Sequence, residues 1–583
     1  MEEMVKKRII ICFAALCIAA LTALSACSTA EYTVSFDAAS AGTSYDSQTV
    51  NSGKTVTSPG EPSKDGYNFI GWFQDSGLTQ PWDIASDKVE GDMTLYAGWD
   101  KDTGDSPSDP GNDKDFSDLR SPGSQEEAYE YSAFFLPEVD GTSQPYVGDT
   151  MPYYEDGVYY IYYLKEAGDS YNHSAYLATT TDFLTYTEYD ESVLEANHSG
   201  GQDSWIGTGS VVKVDEKYYF FYTGHGSADV LEYAEKIMVA VGDTPTSFEK
   251  LADWDITPPS DLGQKNDFRD PQAYIDPDTG NIILTVTASQ SGTARILKYT
   301  LSPDLENVHY DGIIFTNPVG DFWNLECSDT FKIGDTYYIT YSAQDDTLWY
   351  AASDTPYGPY GEPTRLDGKL FYAAKHVEDG EKLYMVGWAR RSESVSSTQD
   401  VAAWAGNIAV QEIIQNEDKT LALAPVENIA DSFSVRRELV CEGGTHAYVA
   451  AGAAYNYVDA FTCYESFMLT GEFTFTGEGS FGLSFDYNGR HDKNKLISIS
   501  PADGMLRLQF NEGSTLITET ALNLTAGETY TFTYIQEGSV GIFYVDGMAA
   551  LTVRLYGVSG KTIQIFAENN TVLFTSLREY TRP

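Results

Sequence analysis

Positive charge is scarce in this chain of 583 residues: 36 Lys and Arg stand against 87 Asp and Glu, a formal net charge of −51. A field of that sign repels nucleic acid and anionic lipid, so no nucleic-acid partner is expected. Cysteine is scarce too, with 6 in all and no Cys-x-x-Cys pair, and the 7 His are scattered without ligand spacing. That argues against a zinc site or a disulfide scaffold, and no metal and no cofactor is expected. No Ser-His-Asp set is evident and no Gly-rich phosphate loop follows a strand pattern, which removes two further chemistries. What the chain does have is 42 Tyr, 50 Gly and 42% hydrophobic residues. This much apolar sequence fills several cores, and the Tyr suit pleated sheets with polar rims.

The amino terminus reads as an address. Lys6, Lys7 and Arg8 precede an apolar run from Ile9 to Leu24, followed by Ser25, Ala26 and Cys27. The run is short for a membrane span and has the plan of a secretory signal over residues 1–26. Leu24-Ser25-Ala26-Cys27 resembles a bacterial lipobox, which implies lipidation of Cys27 and a lipid anchor in the membrane, on the extracellular face of the bacterial cell. Cys12 and Cys17 leave with the signal. Cys327, Cys441 and Cys463 remain, with a Cys441 to Cys463 pairing left open.

Residues 31–100 alternate in short bursts, as in Tyr32-Thr33-Val34-Ser35-Phe36, and predict a small β domain. Asp65-Gly66-Tyr67-Asn68-Phe69-Ile70-Gly71-Trp72-Phe73 and Gly91-Asp92-Met93-Thr94-Leu95-Tyr96-Ala97-Gly98-Trp99 resemble the Listeria–Bacteroides repeat, an internalin B-type repeat. The resemblance implies a β-grasp-like module acting as a spacer or in contact with a cell surface or wall. Residues 101–127 are rich in Asp, Ser, Gly and Pro and predict a flexible linker.

Over residues 128–430 an acidic or Gly turn followed by an aromatic strand recurs five times, at Glu155–Tyr163, Asp215–Tyr222, Asp278–Leu284, Gly334–Tyr341 and Glu378–Val386. Copies about 45 to 65 residues apart suit the blades of a five-bladed β-propeller. Equivalent segments upstream of each turn sit on innermost strands and point to one mouth. They carry Asp149, then Thr208 to Ser210, then Arg269 and Asp270, then Glu326, then Tyr372. Unpaired charge is costly in such a funnel, so a cluster of three acids and an Arg implies a use. Glycoside hydrolysis needs that set: one carboxylate to attack or orient water, one to protonate the leaving oxygen, one to hold sugar hydroxyls.

The run Phe268-Arg269-Asp270-Pro271, then Glu326-Cys327, both downstream of Asp149, resembles glycoside hydrolase family 32, the invertases, levanases and inulinases. Matches at Thr181–Tyr186, Trp205–Ser210, Phe371–Ala373 and Gly387-Trp388 extend it. The resemblance implies an all-β chain, a propeller followed by a carboxy-terminal β-sandwich over residues 437–583, and sucrose or a fructan as substrate. By matching position, Asp149 is the nucleophile, Glu326 the acid and then base, and Asp270 the stabiliser of the transition state, with Arg269 beside it on the substrate; Trp205, Ser210 and Tyr372 are further candidates to hold the fructose ring, since aromatic edges and hydroxyls suit a sugar's faces. The sequence departs from the family where Gly148 replaces an Asn, Leu164 a Gln and Ser328 a Pro. An inverting arabinofuranosidase-type glycosidase and a non-catalytic surface carbohydrate-binding protein remain the alternatives.

Overall fold

The computed structural model describes residues 30–38, 45–59, 62, 64, 67–76, 81, 82, 84, 87–101, 132–137, 146–166, 173–197, 201–263, 266–320, 322–392, 402–437, 447–487 and 494–583. The signal segment, Cys27, residues 102–131 and Cys441 lie outside them. Among the described residues no helix is long and apolar enough to cross a membrane. The chain divides into two compact units, Met1–Pro110 and Gly111–Pro583.

In the first unit, Glu31–Asp37 pairs in parallel with Met93–Lys101 at the centre of a five-stranded sheet. Val34, Trp72, Leu95 and Ala97 fill its core.

The second unit is a β-propeller followed by a β-sandwich. Five four-stranded antiparallel sheets succeed one another, each in simple chain order. Their first strands are β1 (Thr150–Glu155), β2 (Trp205–Val214), β3 (Phe268–Ile275), β4 (Leu325–Ile333) and β5 (Phe371–Glu378). Each touches the next, and β5 returns to β1, which closes the ring. The turns read from the sequence join first and second strands. At Asp156 and Gly157, φ is 50° and 86°, the left-handed pair that a two-residue hairpin requires. Closure is reinforced by the segment before β1. Val147 exchanges backbone hydrogen bonds of 2.8 and 2.9 Å with Gly406 of the last sheet, and Ile408 N donates to Phe135 O at 2.9 Å.

The sandwich packs a seven-stranded sheet on a six-stranded one around Phe473, Phe475, Phe481, Phe485, Phe532, Phe543 and Phe574. The outer face of the larger sheet joins the propeller core through Val540, Ile542 and Tyr544. Two buried polar groups fix that junction. Asp367 accepts from Thr552 N at 3.0 Å and Thr552 Oγ1 at 2.7 Å. Arg554 donates to Arg390 O, Asn407 Oδ1 and Ser539 Oγ at 2.9–3.0 Å and also to Ala389 O. These contacts make sandwich and propeller one packed body.

Candidate active site

Of the residues expected at the mouth, all but Ser210, which is sixth in β2, lie at the start of a first strand, so the ring geometry brings those starts together. Asp149 immediately precedes β1, Asp270 is third in β3, and Glu326 and Tyr372 are second in β4 and β5. A second device aims the side chains. In β2, β3, β4 and β5 the pairing with the neighbouring strand slips at Gly207/Gly209, Arg269/Gln272, Glu326/Asp329 and Tyr372/Lys375. Such bulges turn side chains out of the regular alternation and are frequent beside active sites. Asp270, Cys327 and Ala373 hold φ of 57°, 52° and 50° there. For a residue with a Cβ this conformation costs about 1–2 kcal/mol, so neighbouring contacts must hold it.

Those contacts are hydrogen bonds from the adjacent sheet. Asp270 N donates to Thr223 Oγ1 at 2.8 Å, and that hydroxyl donates to Thr208 O at 3.1 Å. Ala373 N donates to Ser342 Oγ at 3.0 Å, and Cys327 N to Asp270 Oδ2 at 2.8 Å. Backbone groups displaced from the ladder are therefore satisfied across sheet boundaries, as buried amides require. Lys375 Nζ reaches from β5 to Gly209 O at 2.8 Å and Pro271 O at 3.5 Å, adding a buried cation among the acids.

The carboxylates belong to one belt of polar contacts. Asp149 accepts from Thr208 Oγ1 at 2.6 Å and from Trp388 Nε1 at 3.3 Å. Trp388 meets Tyr372 edge-on at 5.6 Å, and the Tyr372 hydroxyl donates to Glu326 Oε2. Glu326 Oε1 accepts from Arg269 at 3.2 Å, and Arg269 also pairs with Glu235 at 3.0 Å and Asp267 at 3.3 Å. Burial opposes the charge on Arg269, but Glu235, Asp270, Glu326 and Asp267 outweigh it and hold the guanidinium protonated. The Glu326 side chain is 32% exposed, whereas Asp270 is buried.

Burial pushes the Asp270 carboxyl up to about 7. Arg269 and the Cys327 amide pull it down, and the charges of Glu326 and Asp149 push it further up. Asp270 thus feels the charges of both other acids. Burial also drives the Cys327 thiol well above its usual range, so it stays protonated. His225 stacks on Trp205 with ring centroids 5.7 Å apart. Burial, with Arg269 and His173 nearby, lowers its pKa to about 3, so its 3.5 Å contact with Glu235 is not an ion pair at neutral pH.

Asp149, Arg269, Asp270, Glu326 and Tyr372 thus meet in one site. Trp205 stacks on His225, which lies against Glu235. Ser210 does not face the pocket: its hydroxyl accepts from Ala273 N at 2.7 Å and ties β2 to β3. Thr208 and Trp388, the donors to Asp149, lay inside motifs visible in the sequence without a role attached. Glu235 carried no signal there, because its part depends on the distant Arg269.

Residues 149–425 match the Glycosyl hydrolases family 32 N-terminal domain, and residues 32–98 the Listeria-Bacteroides repeat domain. A Gly-rich protein of Evansella cellulosilytica is 46% identical over 70 residues, 12% of this chain and 8% of that protein. Sucrose-6-phosphate hydrolase of Escherichia coli is 24% identical over 274 residues, 42% of this chain and 54% of the enzyme. The chain thus spans about half the length of that enzyme or less of these curated relatives. Fructan 1-exohydrolase IIa of Cichorium intybus shares the fold, with a TM-score of 0.60 at 16% identity over 78% of this chain and 98% of that one. The propeller thus carries the match to the glycosyl hydrolase family 32 N-terminal domain, and the segment ahead of it the match to the Listeria-Bacteroides repeat domain.

Proposed function

We propose that this protein is a lipid-anchored, extracellular glycoside hydrolase that cleaves β-fructofuranosidic bonds in sucrose or fructans with retention of configuration. The observation that carries the reading is the convergence of Asp149, Asp270 and Glu326 in one belt, with Arg269 and Tyr372 both on Glu326. Asp149, held by two donors, attacks the anomeric C2. As the C2–O bond breaks, Glu326 gives its proton to the departing oxygen, leaving a fructosyl ester on Asp149. Glu326 then takes a proton from water, which attacks C2 and releases the Asp149 carboxylate. Asp270, shared between protonated and ionised forms near neutral pH, hydrogen-bonds ring hydroxyls. Cys27 supplies the anchor, and the amino-terminal repeat spaces the enzyme from the surface or touches the wall.

The test is fructose release from sucrose, inulin and levan by the mature chain beside Asp149→Asn and Glu326→Gln. Each change keeps shape while removing a charge or a proton, so turnover falls by several orders of magnitude with folding intact. Undiminished release in both variants refutes the assignment, and no release by the wild type from any of the three refutes the substrate class.

A further inference from the structure

Position 148, directly before Asp149, has no room for a side chain unless Trp404 shifts. A Cβ there would lie 2.1 Å from Trp404 Cζ2 and 2.5 Å from Cη2, so the indole occupies that volume. Trp404 comes from Ala402–Gln415, the third strand of the last sheet. His173, which opens the strand His173–Thr180 of the first sheet, stacks on it with ring centroids 4.2 Å apart and planes within 1°. Trp388, which donates to Asp149, meets the same indole at 6.3 Å and 60°. Leu164 is buried in the apolar cluster against which Trp404 packs. Both His173 and Trp404 keep part of their surface accessible. This flank of the nucleophile is therefore aromatic, with glycine at 148 and a buried aliphatic side chain at 164.

We infer that Trp404, backed by His173, is a specificity-determining wall of the sugar pocket. It receives the C–H face of the fructofuranosyl ring, so the chain selects fructosyl units that carry no substituent on that face. The inference rests on the fructoside reading above. Aromatic planes bind such apolar faces by contact and desolvation, with little rotamer freedom to lose, and they exclude a charged or branched substituent by shape. The close approach of Trp404 to Gly148 also makes the two positions interdependent.

The experiment measures kcat and KM on sucrose, inulin and levan for the wild type, Trp404→Phe and Trp404→Ala, with melting temperatures for Gly148→Ala in the wild-type and Trp404→Ala backgrounds. Trp404→Ala is expected to raise KM roughly tenfold, with the larger part of its effect in KM, and Trp404→Phe to recover most of it. Gly148→Ala should lower the melting temperature in the wild type and not in Trp404→Ala. Unchanged KM in both Trp404 variants of an active enzyme overturns the wall alone. An equal Gly148→Ala penalty in both backgrounds overturns the claim that the indole fills that volume. A wild type that releases fructose from none of the three overturns the fructoside reading and the wall with it.

Discussion

Asp270→Asn should stabilise the protein while disabling it, and the size of the gain should depend on pH. In the folded chain the Asp270 carboxyl is raised from 3.8 to about 7, chiefly by burial. An acid raised on folding holds more protons in the native than in the unfolded state between those values, so its contribution to stability falls as pH rises. At about 1.4 kcal/mol per unit, the ionisable side chain costs roughly 2 kcal/mol at pH 5 and roughly 4 kcal/mol at pH 8 relative to a neutral isostere. Asparagine is that isostere: it keeps an oxygen for the Cys327 amide, now at 2.8 Å, and leaves Arg269 with Glu235, Asp267 and Glu326. Thermal unfolding of both proteins across pH 5 to 8 is the assay. The melting advantage of Asp270→Asn should be larger at pH 8 by about 2–3 °C, given roughly 1 °C per kcal/mol for a body of about 450 residues. A difference that does not change with pH, or a variant less stable than wild type at pH 8, would refute the reasoning. Fructose release should be strongly reduced in the same variant, an instance of stability given up at a functional site.

Three other outcomes follow from the contacts described. Thr208→Val removes the 2.6 Å hydroxyl donor to Asp149, and kcat/KM on sucrose should fall about 10- to 100-fold, the worth of one hydrogen bond to a charged group. Arg554→Leu strips donors from Ala389 O, Arg390 O, Asn407 and Ser539 at the buried junction. It should destabilise by about 3 kcal/mol or more in denaturant unfolding, since each orphaned buried acceptor is costly; a midpoint equal to wild type would show that the junction contributes nothing. Cys27→Ser should move the protein from the membrane fraction to the medium and abolish labelling by radioactive palmitate. Continued labelling would place the lipid elsewhere.

Much of the site was legible because it rests on chain order and local chemistry. The five turn-and-strand repeats set the register, and the register puts Asp149, Asp270, Glu326, Arg269 and Tyr372 at equivalent strand starts. The sheets do begin there, and the turns adopt the left-handed geometry that Asp156 and Gly157 announce. What escaped was set by contacts across sheets. The bulges at Asp270, Cys327 and Ala373, the last two with no preference for positive φ, are held by Thr223, Asp270 and Ser342. Ser210 read as a sugar ligand because a serine beside the mouth suits one, yet its hydroxyl serves a backbone amide one sheet away. Gly148 read as a missing side chain, and only the packing of Trp404, more than two hundred residues later in the chain, explains what stands in its place.

The roles of Asp149 and Glu326 can be separated by trapping the covalent intermediate. A fructosyl fluoride needs no proton on its leaving group, so in Glu326→Ala the first displacement proceeds while water lacks its base. Rapid quenching and peptide mass mapping should find a fructosyl ester on the peptide containing Asp149, and none in Asp149→Asn. An inverted first product with no ester at Asp149 would contradict the retaining mechanism and the assignment of Asp149 as nucleophile.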